Sequence, residues 1–311
     1  MQKYALLLHR LKKSGRFAGD TPCRCNMIGN YLRLVKFSHT LFAMPFALAS
    51  FFMALQETEN PLSWRLLVLV VAAMVFARNA AMAFNRYIDR EIDRKNPRTL
   101  KREIPAGILR ARAVLVFVAL NSLLFMGAAF MINPLCFALS PVALAVILGY
   151  SLTKRFTALC HLILGVGLSL APLGAWLAVT GTFHPVPVLL SFSVLFWVSG
   201  FDIIYALQDE EFDKDSRLHS IPATIGKKRS LQVSSLLHAA SFGFLVAVTI
   251  LSGAGKTGII GTSLFGLLLL YQHLIISPRD LSRVNISFFT TNGIASLLWA
   301  TLFITGILTG T

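Results

Sequence analysis

At 311 residues, 55% hydrophobic and only 14% charged, the chain is too apolar for an ordinary soluble domain. Its 29 Lys and Arg against 14 Asp and Glu give a net charge of +15, which a basic membrane face accounts for without any nucleic-acid partner. The composition predicts an all-α, polytopic membrane helical bundle.

In chain order, residues 1–26 read as a basic, dispensable extension ahead of a membrane domain over 27–311. The apolar run in "YALLLHRLKK" is too short for a signal-peptide core, and a basic amphipathic stretch suits the interface. Nine apolar stretches follow, at about 39–56, 65–84, 113–132, 134–152, 158–179, 186–205, 231–251, 257–277 and 286–308. Each has, or nearly has, the roughly 20 residues a helix needs to cross the hydrocarbon core. Asn133-Pro134 separates the third from the fourth, because forty apolar residues cannot cross once.

Basic residues then orient the bundle. The tail to residue 38 and the loops after spans two, four, six and eight hold 26 of the 29 Lys and Arg. The other face has Arg65 and Lys256, and Arg78 sits inside span two. Positive charge accumulates in cytoplasmic loops, so the N-terminus and these loops are expected in the cytoplasm of a bacterium, with the protein in its plasma membrane. Cys23, Cys25, Cys136 and Cys160 form neither a disulfide framework nor a metal-ligand spacing. His39, His161 and His219 have no partner at ligand spacing and read as structural or interfacial.

Ten of the 14 acids sit in two clusters on this cytoplasmic side. If span two continues as a helix past the surface, Asn85, Asp89 and Asp93 line one face, with Arg78 on nearly the same stripe. Span six, extended, does the same with Asp202, Asp209 and Asp213, Tyr205 and Gln208 lying close by. Stacked carboxylates repel one another unless a cation neutralises them. Mg²⁺ takes oxygen ligands and is usually held by one or two carboxylates with a substrate phosphate. The many bases of both loops supply further phosphate contacts. Glu91, Glu210, Glu211 and Asp215 fall off the stripes and are expected at the solvated surface. Arg78 costs about 2.5–3.5 kcal/mol at a span centre, so an intramembrane role is its default reading. Lys154 and Arg155 have two readings, phosphate contacts or positive-inside markers.

The stretches "NRYIDREID" (85–93) and "DIIYALQDEEFD" (202–213) resemble the paired aspartate motifs of the UbiA superfamily of intramembrane aromatic prenyltransferases. "RTLKREIPAG", "YSLTK" (150–154) and "HSIPATIG" extend the similarity over about 28–308, and the wording is most similar to bacterial quinone-pathway members. One departure stands out: many relatives carry Asp directly after the motif's Asn, where this chain has Arg86. The resemblance implies Mg²⁺-dependent transfer from a polyprenyl diphosphate to an aromatic carboxylate acceptor, 4-hydroxybenzoate or a dihydroxynaphthoate. It further implies Asp89, Asp93, Asp209 and Asp213 as metal ligands, Asn85 as a helper, and Arg78, Arg102 and Lys154 as diphosphate contacts. Tyr150 and Tyr205 would assist at the leaving group or ring, with Asp202 and Gln208 at the substrate, and Arg33, Lys36 or Arg78 facing the acceptor carboxylate. The lipid bilayer is the remaining partner, and the pattern assigns no oligomeric state.

Two rivals weigh against this reading. A transporter would place charge near mid-bilayer and interrupt matching spans with Gly or Pro, whereas here the charge gathers at one face. A phosphotransferase acting on CDP-linked alcohols would show an Asp-Gly pair leading into Ala-Arg, which this chain lacks.

Overall fold

The computed structural model describes residues 27–35, 42–59 and 61–311. The expected extension over 1–26, with Cys23 and Cys25, and also Lys36 and His39, lie outside the described residues. These described residues form an all-helical bundle: α1 (Met27–Leu34), α2 (Met44–Glu57), α3 (Trp64–Ile88), α4 (Arg90–Lys95), α5 (Ala111–Ile132), α6 (Pro134–Thr153), α7 (Cys160–Thr180), α8 (Pro185–Ala206), α9 (Glu210–Asp215), α10 (Ile221–Leu251), α11 (Gly255–Ile275) and α12 (Asn292–Thr309). A single 3₁₀ turn joins α8 to α9, and a wide π turn over Ile286–Thr291 leads into α12.

Eight of these segments are long and apolar enough to cross a membrane, and the protein is an integral membrane protein. The first expected span, 39–56, is described only from residue 42 onward. Its described helix, α2, has 14 residues. It is buried, packed against α7 and α12 with Phe46, Ala47, Ala49 and Phe51 fully covered.

Local chemistry sets the helix ends. Asn133 accepts from the Cys136 amide at 2.8 Å while its Nδ2 donates to the Leu177 carbonyl at 2.8 Å. The Asn-Pro signal is thus both the start of α6 and a tie to α7. α10 begins ten residues ahead of its apolar run because Ser220 caps it from outside. Gly226, at φ +78°, breaks this first part away from the rest of the helix.

The core lies between α2, α7, α8, α10, α11 and α12. Phe46 stacks on Trp299 at 4.7 Å and leans on Trp197 at 5.0 Å. Between helices, hydrogen bonds replace the hydrophobic drive that lipid cannot supply. Ser193 and Ser241 bond across α8 and α10, and Trp197 Nε1 donates to Asn292 Oδ1 at 3.0 Å. α8 crosses α10 so closely at Gly200 that a Cβ there would stand 2.3 Å from the His238 ring. On the other flank α3 packs on α5, and Leu34, Ala83, Ile104, Leu109, Val114 and Val118 clamp the loop after α4 onto α1, α3 and α5. That clamp fixes the charged loop over the bundle's end.

Candidate active site

α3 ends at Ile88, with Asp89 as its cap and α4 starting at Arg90. The predicted continuous helix is therefore interrupted, yet the stripe survives. The Asp89 amide donates to Asn85 O at 2.9 Å and the Asp93 amide to Asp89 O at 2.7 Å, so helical spacing carries across the break. Asp89, 2% exposed, accepts from Asn85 Nδ2 at 3.2 Å, Lys154 Nζ at 2.6 Å and Arg155 at 2.9 Å. Asp93, 3% exposed, accepts from Arg102 Nη1 at 2.6 Å through Oδ1, while its buried Oδ2 has no partner.

The second motif straddles the 3₁₀ turn. Asp209 is gripped by the Arg98 guanidinium through both oxygens and accepts from Asn96 Nδ2 at 3.1 Å. Arg98 also donates to the Tyr205 hydroxyl at 2.8 Å. Burial disfavours the charge on Arg98, but the bonds to Asp209 and Tyr205 outweigh it and raise its pKa above the ordinary arginine value. Asp213 accepts from Ser220 Oγ at 2.8 Å, and Asp202 pairs with His161 Nδ1 at 2.7 Å. Gln208, in the 3₁₀ turn, donates to the Tyr205 carbonyl at the end of α8, at 3.2 Å.

These contacts bring the two motifs to one place. Asn96 and Arg98, just beyond the first motif, reach Asp209 in the second, and Lys154 and Arg155 after α6 reach Asp89 in the first. Asp213 in turn feels the charges of Asp209 and Lys154. Each of Asp89, Asp93 and Asp209 is thus matched by a base from another segment.

Among the described residues no three His, Cys, Asp or Glu side chains converge as a metal-binding group. The donor set nevertheless suits Mg²⁺, which needs only one or two carboxylates when a phosphate completes its shell. All four candidates offer hard oxygen donors, and the buried Asp93 Oδ2 has no hydrogen-bond partner among the described residues.

Below this charged layer lies an apolar cavity of about 420 Å³ between α3, α5, α6 and α7. Its lining includes Met74, Phe125 and Leu168, and its polar side chains include Arg78 and Tyr150. Tyr150 stands one turn before Lys154 and within electrostatic reach of Asp89, Asp202 and Arg78. The cavity thereby meets the carboxylates.

Sequence reasoning left several contacts unassigned. Arg155 bonds Asp89 as directly as Lys154 does, Asn96 had no role, and Arg98 was one base among many. His161, read as structural, holds Asp202, with its Nε2 accepting from the Ile221 amide at 3.4 Å. Glu210, expected at the surface, is 7% exposed because α9 packs against α10, and it accepts from Lys214 Nζ of its own helix at 2.6 Å. Nothing in the local pattern separates these residues from their neighbours; only the meeting of distant loops does.

Comparison with known proteins follows the same outline. The profile of the UbiA prenyltransferase family matches residues 43–302. A 4-hydroxybenzoate octaprenyltransferase of Nitrosomonas europaea is 31% identical over 244 residues, 76% of this chain and 80% of that protein. One from Aromatoleum aromaticum is 29% identical over 77% of this chain and 81% of its own length. Among solved structures, a UbiA homolog from Aeropyrum pernix K1 superposes with a TM-score of 0.75 at 30% identity, covering 87% of this chain and 97% of its own. A UbiA homolog from Archaeoglobus fulgidus bound to GPP and Mg²⁺ shares the fold, with a TM-score of 0.70 at 24% identity over 90% of this chain and 99% of that one. The chain is a prenyltransferase belonging to the UbiA prenyltransferase family.

Proposed function

We propose that this enzyme transfers a polyprenyl group from polyprenyl diphosphate to an aromatic carboxylate, 4-hydroxybenzoate or a related hydroxynaphthoate, in ubiquinone or menaquinone biosynthesis. The observation that carries this reading is the junction of two acidic motifs, tied through Asn96 and Arg98 to Asp209, above an apolar cavity reached at Arg78 and Tyr150. Relatives named 4-hydroxybenzoate octaprenyltransferase support the acceptor class. The Archaeoglobus homolog's Mg²⁺ and GPP support the metal and the donor.

Asp89, Asp93, Asp209 and Asp213 would hold Mg²⁺, which when bound neutralises charge on the diphosphate. Lys154 and Arg102 exchange their carboxylate partners for phosphate oxygens, and Arg155 and Arg98 have N–H groups within the same layer. Negative charge grows on the departing oxygen as the allylic C–O bond breaks, and preorganised donors stabilise it there. The ring carbon ortho to the phenol hydroxyl bonds to the allylic carbon as the C–O bond breaks, and loss of the proton on that ring carbon restores aromaticity. The apolar cavity wall keeps water from the cation and houses the tail. Tyr205, oriented by Arg98, and Tyr150 stand where leaving group and ring meet. Asn85 holds Asp89 in register, Asp202 is steadied by His161, and Gln208 supports the turn bearing Asp209.

Incubating the purified protein with a polyprenyl diphosphate and each acceptor in turn tests the reading. A product of the acceptor's mass plus one prenyl group, with diphosphate released, is the expected result. Absence of such a product with both acceptors would remove this acceptor class.

We further place the charged layer in the cytoplasm of the bacterial cell, from the one-sided distribution of Lys and Arg. Single cysteines at Lys95 and Lys228, on a cysteine-free background, should label from the cytoplasm, and one at Thr182 from outside. Labelling of Lys95 and Lys228 from opposite sides would dismantle a shared site.

A further inference from the structure

We propose that Asn292, the first residue of α12, is a positioning residue that acts through the π turn: it sets the place of Phe288, and Phe288 sets the place of the Tyr205 phenol. This role rests on the function proposed above in one respect, that Tyr205 takes part in the transfer. Asn292 is fully buried and uses its whole hydrogen-bonding capacity. Its Oδ1 accepts from Trp197 Nε1 of α8 at 3.0 Å and from Gln272 Nε2 of α11. Its Nδ2 donates to the carbonyls of Ser287 and Phe288, at 3.2 and 3.1 Å. One side chain thereby anchors the wide turn to two other helices.

The width of the turn decides where Phe288 lies. In an uninterrupted α-helix Phe288 would share one stripe with Asn292, Ala295, Trp299 and Phe303, the buried face of α12. A π turn bonds i to i+5 instead of i+4, so the fully buried Ser287 takes that place and Phe288 swings round by about 100°. There its ring lies 4.3 Å from Tyr205 and 5.2 Å from Phe201, one turn earlier on α8. Arg98 donates to the Tyr205 hydroxyl at 2.8 Å, and that hydroxyl's own proton has no acceptor among the described residues. Tyr205 is thus held at its ring by Phe288 and at its oxygen by Arg98, with its proton left for donation into the site. An uninterrupted helix would also bury Phe288, so burial alone does not call for the wide turn, which is rare and often marks functional sites. The contact with Tyr205 does.

The full chain in detergent, labelled throughout with 3-fluorotyrosine, tests this role without any substrate. Among its six tyrosines, the fluorine line absent from Tyr205→Phe reports Tyr205. That line should move in Asn292→Ala and in Phe288→Leu. It should stay in Phe303→Leu, which alters a buried ring three turns further along α12, stacked on Trp299. In transfer assays with a polyprenyl diphosphate and the acceptor that is prenylated, Asn292→Ala should lower kcat about tenfold, within the scale for a misplaced group, and leave both KM values unchanged. In a Tyr205→Phe background the same substitution should cost less than about twofold, because a residue that acts only through that hydroxyl has nothing left to place. Asn292→Ala also strips Trp197 and Gln272 of their acceptor. Where it does not fold, Phe288→Leu, which leaves all four bonds of Asn292 in place, carries both arms. An unmoved Tyr205 line in these variants overturns the role, as does an equal loss of kcat in the two backgrounds or a Phe303→Leu enzyme that reproduces the kinetic effect. If neither acceptor is prenylated, the function proposed above fails, while the fluorine line still decides whether Asn292 and Phe288 place Tyr205.

Discussion

Asp93→Asn and Asp209→Asn are expected to lower turnover by at least about 10²-fold, the scale on which single preorganised charge contacts act in water-excluded sites, while the protein stays folded in detergent. The substitution keeps size and removes charge. Asp93 presents an unpartnered, buried Oδ2, and an amide in that place binds a divalent cation far more weakly than a carboxylate does. Asp213→Asn should follow the same course, since Ser220 can still donate to the amide oxygen. Asp89→Asn differs in one respect. This carboxylate, 2% exposed, holds both Lys154 and Arg155, so its neutralisation leaves two cations without their counter-charge. Removing one partner from a buried pair costs about 3–5 kcal/mol, and this variant should also melt lower. Turnover assays with and without a chelator, beside thermal melts, separate these effects. Wild-type activity that survives complete Mg²⁺ removal, or an Asp93→Asn enzyme with full turnover, would end the metal reading.

The stripe at 85, 89 and 93 was legible because helical spacing is a local property, whereas a 3₁₀ turn interrupts the expected continuation from Asp202 to Asp209 and Asp213. The bundle was legible for the same reason, since an apolar run long enough to cross a bilayer declares itself. Less legible was that the first apolar run, described as a helix over Met44–Glu57, packs inside the protein against α7 and α12. Hydropathy cannot tell lipid from protein as the apolar neighbour. Partnerships between segments were not legible at all. Asn96 to Asp209 spans 113 residues and Arg155 to Asp89 spans 66, and nothing in the composition of either loop specifies which base meets which acid. The same holds for His161 and Asp202, where a lone histidine gains its partner only when α7 packs against α8.

Neutralising a diphosphate contact should slow bond breaking with every acceptor, whereas neutralising an acceptor contact should not. Lys154 and Arg102 lie 2.6 Å from Asp89 and Asp93 respectively, within the layer where the proposed leaving group sits. A base there interacts more strongly as negative charge builds on the departing oxygen. Lys154→Met and Arg102→Met should therefore lower kcat as well as raise KM for the prenyl diphosphate, by about 10- to 10³-fold in kcat/KM. The acids complicate the outcome in a useful way. Each variant also frees a carboxylate oxygen, so Mg²⁺ affinity should hold or improve while turnover falls, a combination that loss of fold would not produce. Varying one substrate at a time distinguishes the cases. An effect confined to acceptor saturation, with kcat and diphosphate KM unchanged, would move Lys154 or Arg102 to the aromatic ring and leave Arg155 and Arg98 as the bases facing the diphosphate.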